Sequence, residues 1–403
     1  MNYILFDDQH VRTSLLPLTF TRPVSEIRVG ICTITQKWEQ VLWSRISFLT
    51  EPYLQAKYPQ VNTLNDVFIN GAICPDEALL GAIQSLQKGD RLMHGDILVA
   101  YRPEELPETL TDIDQIPDIR VQTHQQHITI IRDLCDIYAC NGEQIRADFR
   151  RITAGRVSRP ITDPHTAVYN PGQIFIEEGA EMKACVLNAE SGPIYIGRNA
   201  QLHEGTVVRG PFALGEGSFL NMGSKIRPDT TIGPYCKVGG EVSNSVIFGY
   251  SNKSHDGFMG NSVLGEWCNL GADTNTSNMK NDYGHVKQWS YYEGGMRDTG
   301  RQFCGLVMGD HSKAGINTMF NTGTVVGVSC NVFGGDFPPK YVPSFSWGGA
   351  AGLEIYHLDK ALEVAERATQ RRGLPFSELD RHILTMVFNL THTPKKTIGF
   401  RSH

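Results

Sequence analysis

From Ile196 to Val238 every sixth residue is aliphatic: Ile196, Leu202, Val208, Leu214, Leu220, Ile226, Ile232 and Val238. An amphipathic helix repeats at three and four residues and a strand at two, so neither explains an unbroken step of six. Glycine follows directly at 197, 215, 233 and 239. A hexapeptide repeat of this kind builds a parallel β-helix. Each unit makes a short strand and a turn, its aliphatic residue points into the coil, and three units close one triangular coil. A single coil cannot bury its own apolar row, so coils have to stack. The step resumes at Phe258, Leu264 and Leu270, and again at Met308, Ala314, Phe320, Val326 and Val332. Between these runs, residues 276–303 are polar and aromatic, with Asn278, Lys280, Trp289, Tyr291 and Tyr292. They are expected to leave the β-helix as an ordered loop, because their aromatic content argues against disorder.

The rest of the chain needs room for more than a β-helix. At 403 residues it is long enough for two or three domains. A net charge of −6 and the lack of any Lys/Arg run argue against a nucleic-acid partner. No apolar stretch approaches the length of a membrane span. The start, Met1 to Asp8, lacks the basic opening and long apolar run of a signal peptide, so a cytoplasmic location is expected. The nine cysteines are scattered without close CxxC pairs, which reads as reduced thiols, several of them inside the β-helix.

Before the repeat, strand-like and helix-like stretches alternate. Tyr3 to Phe6 is a strand, followed by the polar loop Asp7-Asp8-Gln9-His10-Val11-Arg12. Helical spacing runs over Trp38 to Leu49. Asp66 to Asn70 is a strand, Pro75-Asp76-Glu77 opens a helix, and Arg91 to Tyr101 is another strand. This order predicts an α/β layer with a mainly parallel sheet over residues 1–151, where ligands sit at the C-terminal ends of strands. The proline-rich stretch 152–171 reads as a linker and 172–338 as the β-helix, ended by Pro338-Pro339. Residues 339–403 read as a helical cap over the open end of the solenoid.

A short α/β domain joined to a hexapeptide β-helix resembles the bifunctional UDP-N-acetylglucosamine pyrophosphorylase/glucosamine-1-phosphate N-acetyltransferase family, in a divergent version with a shortened N-terminal domain. The stretches that carry the resemblance are Lys253-Ser254-His255-Asp256-Gly257-Phe258-Met259-Gly260-Asn261, Gly265 to Thr274, and Ser277-Asn278. The resemblance implies an α/β nucleotidyltransferase-like (Rossmann-like) domain, a left-handed β-helix and C-terminal helices. It also implies a homotrimer with active sites between subunits, acting on sugar phosphates for cell-envelope precursors.

In the β-helix the resemblance implies acetyl transfer from acetyl-CoA to an amino-sugar 1-phosphate. His255 would be the general base that takes the proton of the attacking amine, with Asn278 at the reacting centre. Arg227, in Ile226-Arg227-Pro228, matches an arginine that holds the sugar phosphate, which suits a planar bidentate donor. Asn269 matches a sugar-binding asparagine, and Phe258 replaces a tyrosine. A family lysine falls on Ser243, so Lys253, Lys280 or Lys287 would have to supply the phosphate's partner. Ala272 and Lys313 would border the acetyl-CoA groove.

In the N-terminal domain the family has a glycine-rich phosphate loop, but the matching loop here has no glycine. Arg12 fits the family's loop arginine, and Arg22 before Pro23 would stand in for its lysine. Asn70-Gly71 falls where an aspartate would hold Mg²⁺, and Asp96 reads as a turn residue. Uridylyl transfer to UDP-N-acetylglucosamine would follow if this domain is active. Two other readings stay open. One is a sugar-1-phosphate nucleotidyltransferase whose β-helix serves assembly. The other is a non-catalytic sugar-nucleotide-binding scaffold.

Overall fold

The structure is a computed structural model that describes residues 1–104 and 120–392. In the N-terminal part, β1 (Asn2–Phe6) pairs in parallel with β2 (Ile46–Leu49) on one side and β3 (Asp66–Asn70) on the other. Beyond β3 the sheet changes character. Asp90–His94 (β4) and Ile97–Arg102 (β5) form an antiparallel hairpin, β5 runs antiparallel to β3, and Arg120–Thr123 (β6) is parallel to β4. The sheet is therefore mixed, with three parallel pairings and two antiparallel ones. What reads as one strand from Arg91 to Tyr101 is broken by Gly95-Asp96, where Gly95 has φ +61° and lets two strands reverse in a tight turn. Asp96 sits in that turn, as expected.

A helix assignment also changes. The helical spacing over Trp38 to Leu49 divides into a helix, Ile34–Leu42, and strand β2. Thr33 and Gln36 cap that helix reciprocally at its start, and Trp43 ends it at φ +52°. The amphipathic stretch from Leu134 to Arg151 is two helices, Leu134–Ala139 and Asn141–Thr153, meeting at Cys140.

The repeat folds as a parallel β-helix with three inward rows. Ile196 pairs with Leu214 and Leu214 with Ile232, a step of 18 residues or three hexapeptides. Every aliphatic residue of the Ile196–Val238 series is buried. The next coil is shorter: Ile232 pairs with Ile247, a step of 15. That shift changes who faces inward. Met259 takes the interior place beside Val242, and Phe258 points outward, not inward as the sixfold step suggests. Cys185, Cys236, Cys268 and Cys330 fill the coil interior, as expected.

The ladder extends beyond both sequence boundaries. Ala167–Tyr169, inside the expected linker, already pairs with Val186–Asn188. Past Pro338-Pro339, Tyr341–Val342 pairs with Val325–Val326, and Ser346–Gly349 ends the stack as a hairpin with Gly352–Ile355. Proline stops a strand only locally, and the coil's turn absorbs the pair.

The three faces of the prism meet different neighbours. One carries Val246, Phe248, Val263, Val307 and Val325 into the core of the N-terminal domain. Burying each such side chain contributes about 1.5–3 kcal/mol, so this face is a hydrophobic interface in its own right. A second face is flanked by helices Leu358–Gln370 and Glu378–His392. Their Ala361, Leu362, Ala365, Ile383 and Leu384 pack with Phe20 and Leu54 of the N-terminal domain and Val328 and Phe345 of the β-helix. These helices lie along the side of the solenoid, wedged against the N-terminal domain, and do not cap its end. Residues 393–403, the last part of the expected 339–403 cap, lie outside the described residues. The third face, built on the ladder through Lys225, Glu241 and Phe258, stays open.

Candidate active site

The open face gathers part of the expected site. Lys225 pairs with Glu241 and Glu241 with Phe258, so their side chains stand in adjacent coils on the outer surface. Arg227 reaches along this face to Glu241, Nε to Oε1 2.8 Å, and keeps most of its guanidinium in solvent. One coil further on, the Asn275 Oδ1 accepts the Phe258 backbone N–H at 2.8 Å. Asn278 then turns back and donates its amide to Asn261 Oδ1 at 2.8 Å. A Cβ at Gly260 would lie 2.6 Å from both the Asn278 amide and the Phe258 ring, so only glycine lets those two side chains close over the strand.

His255 is exposed at the corner where the turn enters the Phe258 strand. Among the described residues no side chain or backbone group hydrogen-bonds its ring. The turn beneath it is held firmly. Asn221 donates to Ser254 O at 2.7 Å, and Lys253 Nζ donates to His255 O at 2.8 Å and Gly239 O at 3.0 Å. Lys253 therefore does not bind phosphate as placed. Its register partner is Val238, an inward aliphatic position, and burial pushes its ammonium down to about 8. Ala272 lies at the same corner one coil on, half-buried. Lys280 forms an exposed pair with Asp282 at 2.9 Å, and Lys287 is exposed on the loop hairpin.

Asn269 and Lys313 lie elsewhere. They pair with each other on the second face. Asn252 Nδ2 reaches Asn269 Oδ1 at 3.4 Å, and Arg372 of the C-terminal segment donates to Asn252. Lys313 donates to His311 O at 3.0 Å beside a slot of about 160 Å³ that Ala361 and Ala365 close off. Burial lowers its pKa. No open coenzyme groove runs past it, because the helix Leu358–Gln370 occupies that side. Spacing within the repeat could not show this, since a sixfold pattern is silent about which face a distant helix covers.

The N-terminal candidates are all built into packing. Arg12 is 4% exposed and donates to Asp7 at 2.9 Å, Thr19 O at 2.6 Å, Arg22 O at 3.2 Å and Tyr53 OH at 3.0 Å. Arg22 is equally buried. It crosses to the β-helix, pairing with Asp310 and, at 3.4 Å, with Glu266. Thr21 also donates to Asp310, at 2.7 Å. Asn70 is fully buried, donating to Leu98 O and accepting from Ala72 N–H. Gly71 N–H donates to Phe6 O at 2.8 Å. As placed, Arg12, Asn70 and Gly71 turn no donor toward a nucleotide, while Arg22 lines a cavity of about 250 Å³ and leaves its Nε without a partner.

Magnesium fits no better. Asp7 spends its oxygens on Arg12, Thr50 and the Val24 N–H, and Asp8 caps the helix Gln9–Ser14. Among the described residues no group of three or more His, Cys, Asp or Glu could hold a metal ion.

Three features escaped sequence reasoning. Glu241 and Asn261 orient Arg227 and Asn278. Lys340 lines a surface hollow of about 570 Å³ with Lys280 and Thr322, which also takes in Ser277 and Met279 on either side of Asn278. Tyr235, Tyr250, Trp267 and His311 stack along one corner, with ring centroids 5.3, 4.4 and 6.1 Å apart. All four have positive φ, and recurrence at a turn position was their only sequence signal.

Comparison with known proteins gives this architecture its relatives. Residues 3–157 match the family model described as sugar nucleotidyl transferase. The "Bifunctional protein GlmU" of Synechococcus elongatus is 23% identical over 285 residues, covering 65% of this chain and 56% of that protein. The chain is similar to GlmU proteins at low identity. A "Bifunctional sugar-1-phosphate nucleotidylyltransferase/acetyltransferase" of Sulfurisphaera tokodaii is 32% identical over 146 residues, 36% of each chain. The GlmU-like match thus spans about half the length, or less, of these curated relatives. A solved UDP-N-acetylglucosamine acyltransferase of Arabidopsis covers 59% of this chain and 85% of its own at 17% identity, with a TM-score of 0.22. That score is too low to carry an argument, and the β-helix rests on its own strand register. No helix among the described residues is long and apolar enough to cross a membrane.

Proposed function

We propose that this protein transfers an acetyl group from acetyl-CoA to the amine of an amino-sugar 1-phosphate, glucosamine 1-phosphate being the first substrate to test. The observation that carries this reading is the open face, where Arg227, Glu241, Phe258 and Asn278 come from four successive coils and His255 sits at the corner that leads into the Phe258 strand. Arg227 offers an exposed, already oriented guanidinium to a phosphate. Asn278, fixed by Asn261, presents its carbonyl oxygen to a substrate donor. His255 takes a proton from the neutral sugar amine as its nitrogen attacks the thioester carbonyl, the C–S bond breaks, and the departing thiolate takes up that proton, giving an amide and free coenzyme thiol. Because the described chain leaves this ring without an orienting partner, substrate or another copy of the chain has to position it. A homotrimer assembled through the open face would supply such a copy, and would also cover a face that the N-terminal domain and the C-terminal helices leave bare.

A uridylyl step in the N-terminal domain would require Arg12 and Arg22 to leave buried ion pairs, so we read that domain as a structural partner of the β-helix. The test follows thiol release with glucosamine 1-phosphate and acetyl-CoA. Turnover in the wild type with a large loss in His255→Ala supports the assignment. A wild type inert toward several amino-sugar phosphates overturns it and leaves the β-helix as scaffold.

A further inference from the structure

The 276–303 segment does not hang free of the molecule. Its hairpin, Lys287–Ser290 with Gly295–Asp298, returns against the N-terminal domain. Arg297 pairs with Asp133 at 2.6 Å, Arg301 with Asp136 at 3.0 Å, and Tyr138 OH donates to Phe303 O at 3.1 Å. At the centre of this contact the Cys135 and Cys304 sulfurs are 3.6 Å apart. Cys135 comes from the helix Leu134–Ala139 and Cys304 from the end of the segment, so the two thiols belong to different domains. Gln288 bridges them, its Nε2 donating to Cys304 Sγ at 3.4 Å and its Oε1 3.7 Å from Cys135 Sγ. No other pair among the nine cysteines is in sulfur contact, and both of these thiols are buried.

We propose that Cys135 and Cys304 form a peroxide-oxidisable dithiol whose disulfide locks the 276–303 segment onto the N-terminal domain. The chemistry uses hydrogen peroxide as the oxidant. The Cys135 thiolate attacks one peroxide oxygen, the O–O bond breaks, and Cys135 becomes a sulfenic acid as hydroxide leaves and takes up a proton. Cys304, losing its proton, then attacks the Cys135 sulfur. The S–S bond forms, the S–O bond breaks, and a second water leaves. Two thiols and one peroxide give one disulfide and two waters.

The two sulfurs share one hydrogen bond in which either can donate, and Tyr138 and Arg301 act on both, so the pair holds a single thiolate more readily than two; the hydrogen bond to Cys304 lowers the Cys135 pKa. Burial restricts the oxidant to something near the size of water, which excludes bulky disulfides such as oxidised glutathione. The lock would also be felt at the candidate active site, because the Cys304 N–H donates to Asn278 O at 2.8 Å. This last consequence rests on the proposed acetyl transfer, whereas the disulfide does not.

The experiment treats the full chain with graded hydrogen peroxide, blocks remaining thiols by alkylation, and maps peptides under non-reducing conditions. We expect one linked pair, Cys135 with Cys304, reversed by dithiothreitol, formed with peroxide and not with oxidised glutathione. Oxidised wild type should melt several degrees higher than reduced, and Cys135→Ala should show no such rise. The proposal is overturned if peroxide leaves both thiols alkylatable in folded wild type. It is equally overturned if Cys135 passes to sulfinic acid unlinked, or if the link joins other cysteines. Acetyl transfer measured on the same samples reports separately on the earlier reading: an inert enzyme that still forms the link sinks only that reading.

Discussion

Arg22 and Arg227 carry the same guanidinium, and each stands next to a proline, yet the fold uses them in opposite ways. Arg22 is withdrawn from solvent and neutralised by Asp310 and Glu266 across the domain boundary. Arg227 is left largely in water, paired with one carboxylate on the open face. A cation that is to recognise a substrate has to keep hydrogen-bonding capacity that the protein does not consume. By that measure Arg227 keeps donors free in solvent, whereas Arg22 spends most of its own on Asp310 and Glu266.

The sharpest way to break this comparison is Arg22→Met. It strands Asp310 and Glu266 without their buried counter-charge, so we expect a stability loss of about 3–5 kcal/mol by chemical denaturation. A variant of unchanged stability that loses nucleotide binding would make Arg22 a ligand contact after all. Next in size is His255→Ala. Acetyl transfer should fall by at least roughly a hundredfold with the melting point unchanged, since the ring is exposed. Undiminished turnover would remove the base from the mechanism.

His311 tests how dry the boundary is. Burial, with Lys313 nearby, lowers its pKa from 6.5 to about 3, so it stays neutral in the folded chain while the unfolded chain protonates. Its contribution to stability is complete above pH 6.5 and declines as pH falls through that window, by up to about 1.4 kcal/mol per pH unit. In denaturation curves taken across the window, His311→Gln should show a shallower acid loss than the wild type, and parallel curves would refute the assignment. The smallest structural effect belongs to Arg227→Ala. Its exposed pair is worth less than about 1 kcal/mol to folding, while KM for the sugar phosphate should rise roughly tenfold. An unchanged KM would move the phosphate elsewhere, the Lys280–Lys340 hollow being the next place to look.

Much of the β-helix was legible because its signal is local and periodic. Each aliphatic residue of the Ile196–Val238 series stacks on an equivalent residue one coil away, so sequence spacing and spatial neighbourhood are the same thing. The series lost phase where the coil shortened to 15 residues, and there Phe258 was assigned to the wrong side. The candidate site was legible only in its surface residues. His255, Arg227 and Asn278 are exposed or half-exposed as a site requires, but Lys253 belongs to an inward row and Lys313 lies under a helix some 50 residues further along the chain. The burial of the N-terminal arginines was not legible for a related reason. The carboxylates that pair with Arg22 lie 244 and 288 residues away, at Glu266 and Asp310.

By itself, then, the sequence determined that the chain stacks hexapeptide coils behind an α/β domain, because backbone periodicity and side-chain burial are set within a few residues. Which face of the prism stays open was decided only by the tertiary structure. So were the fate of each arginine and the meeting of Cys135 with Cys304. Those outcomes depend on which distant surfaces exclude water from which groups, and the free energy of a buried charge or thiol is set by partners that chain order does not reveal.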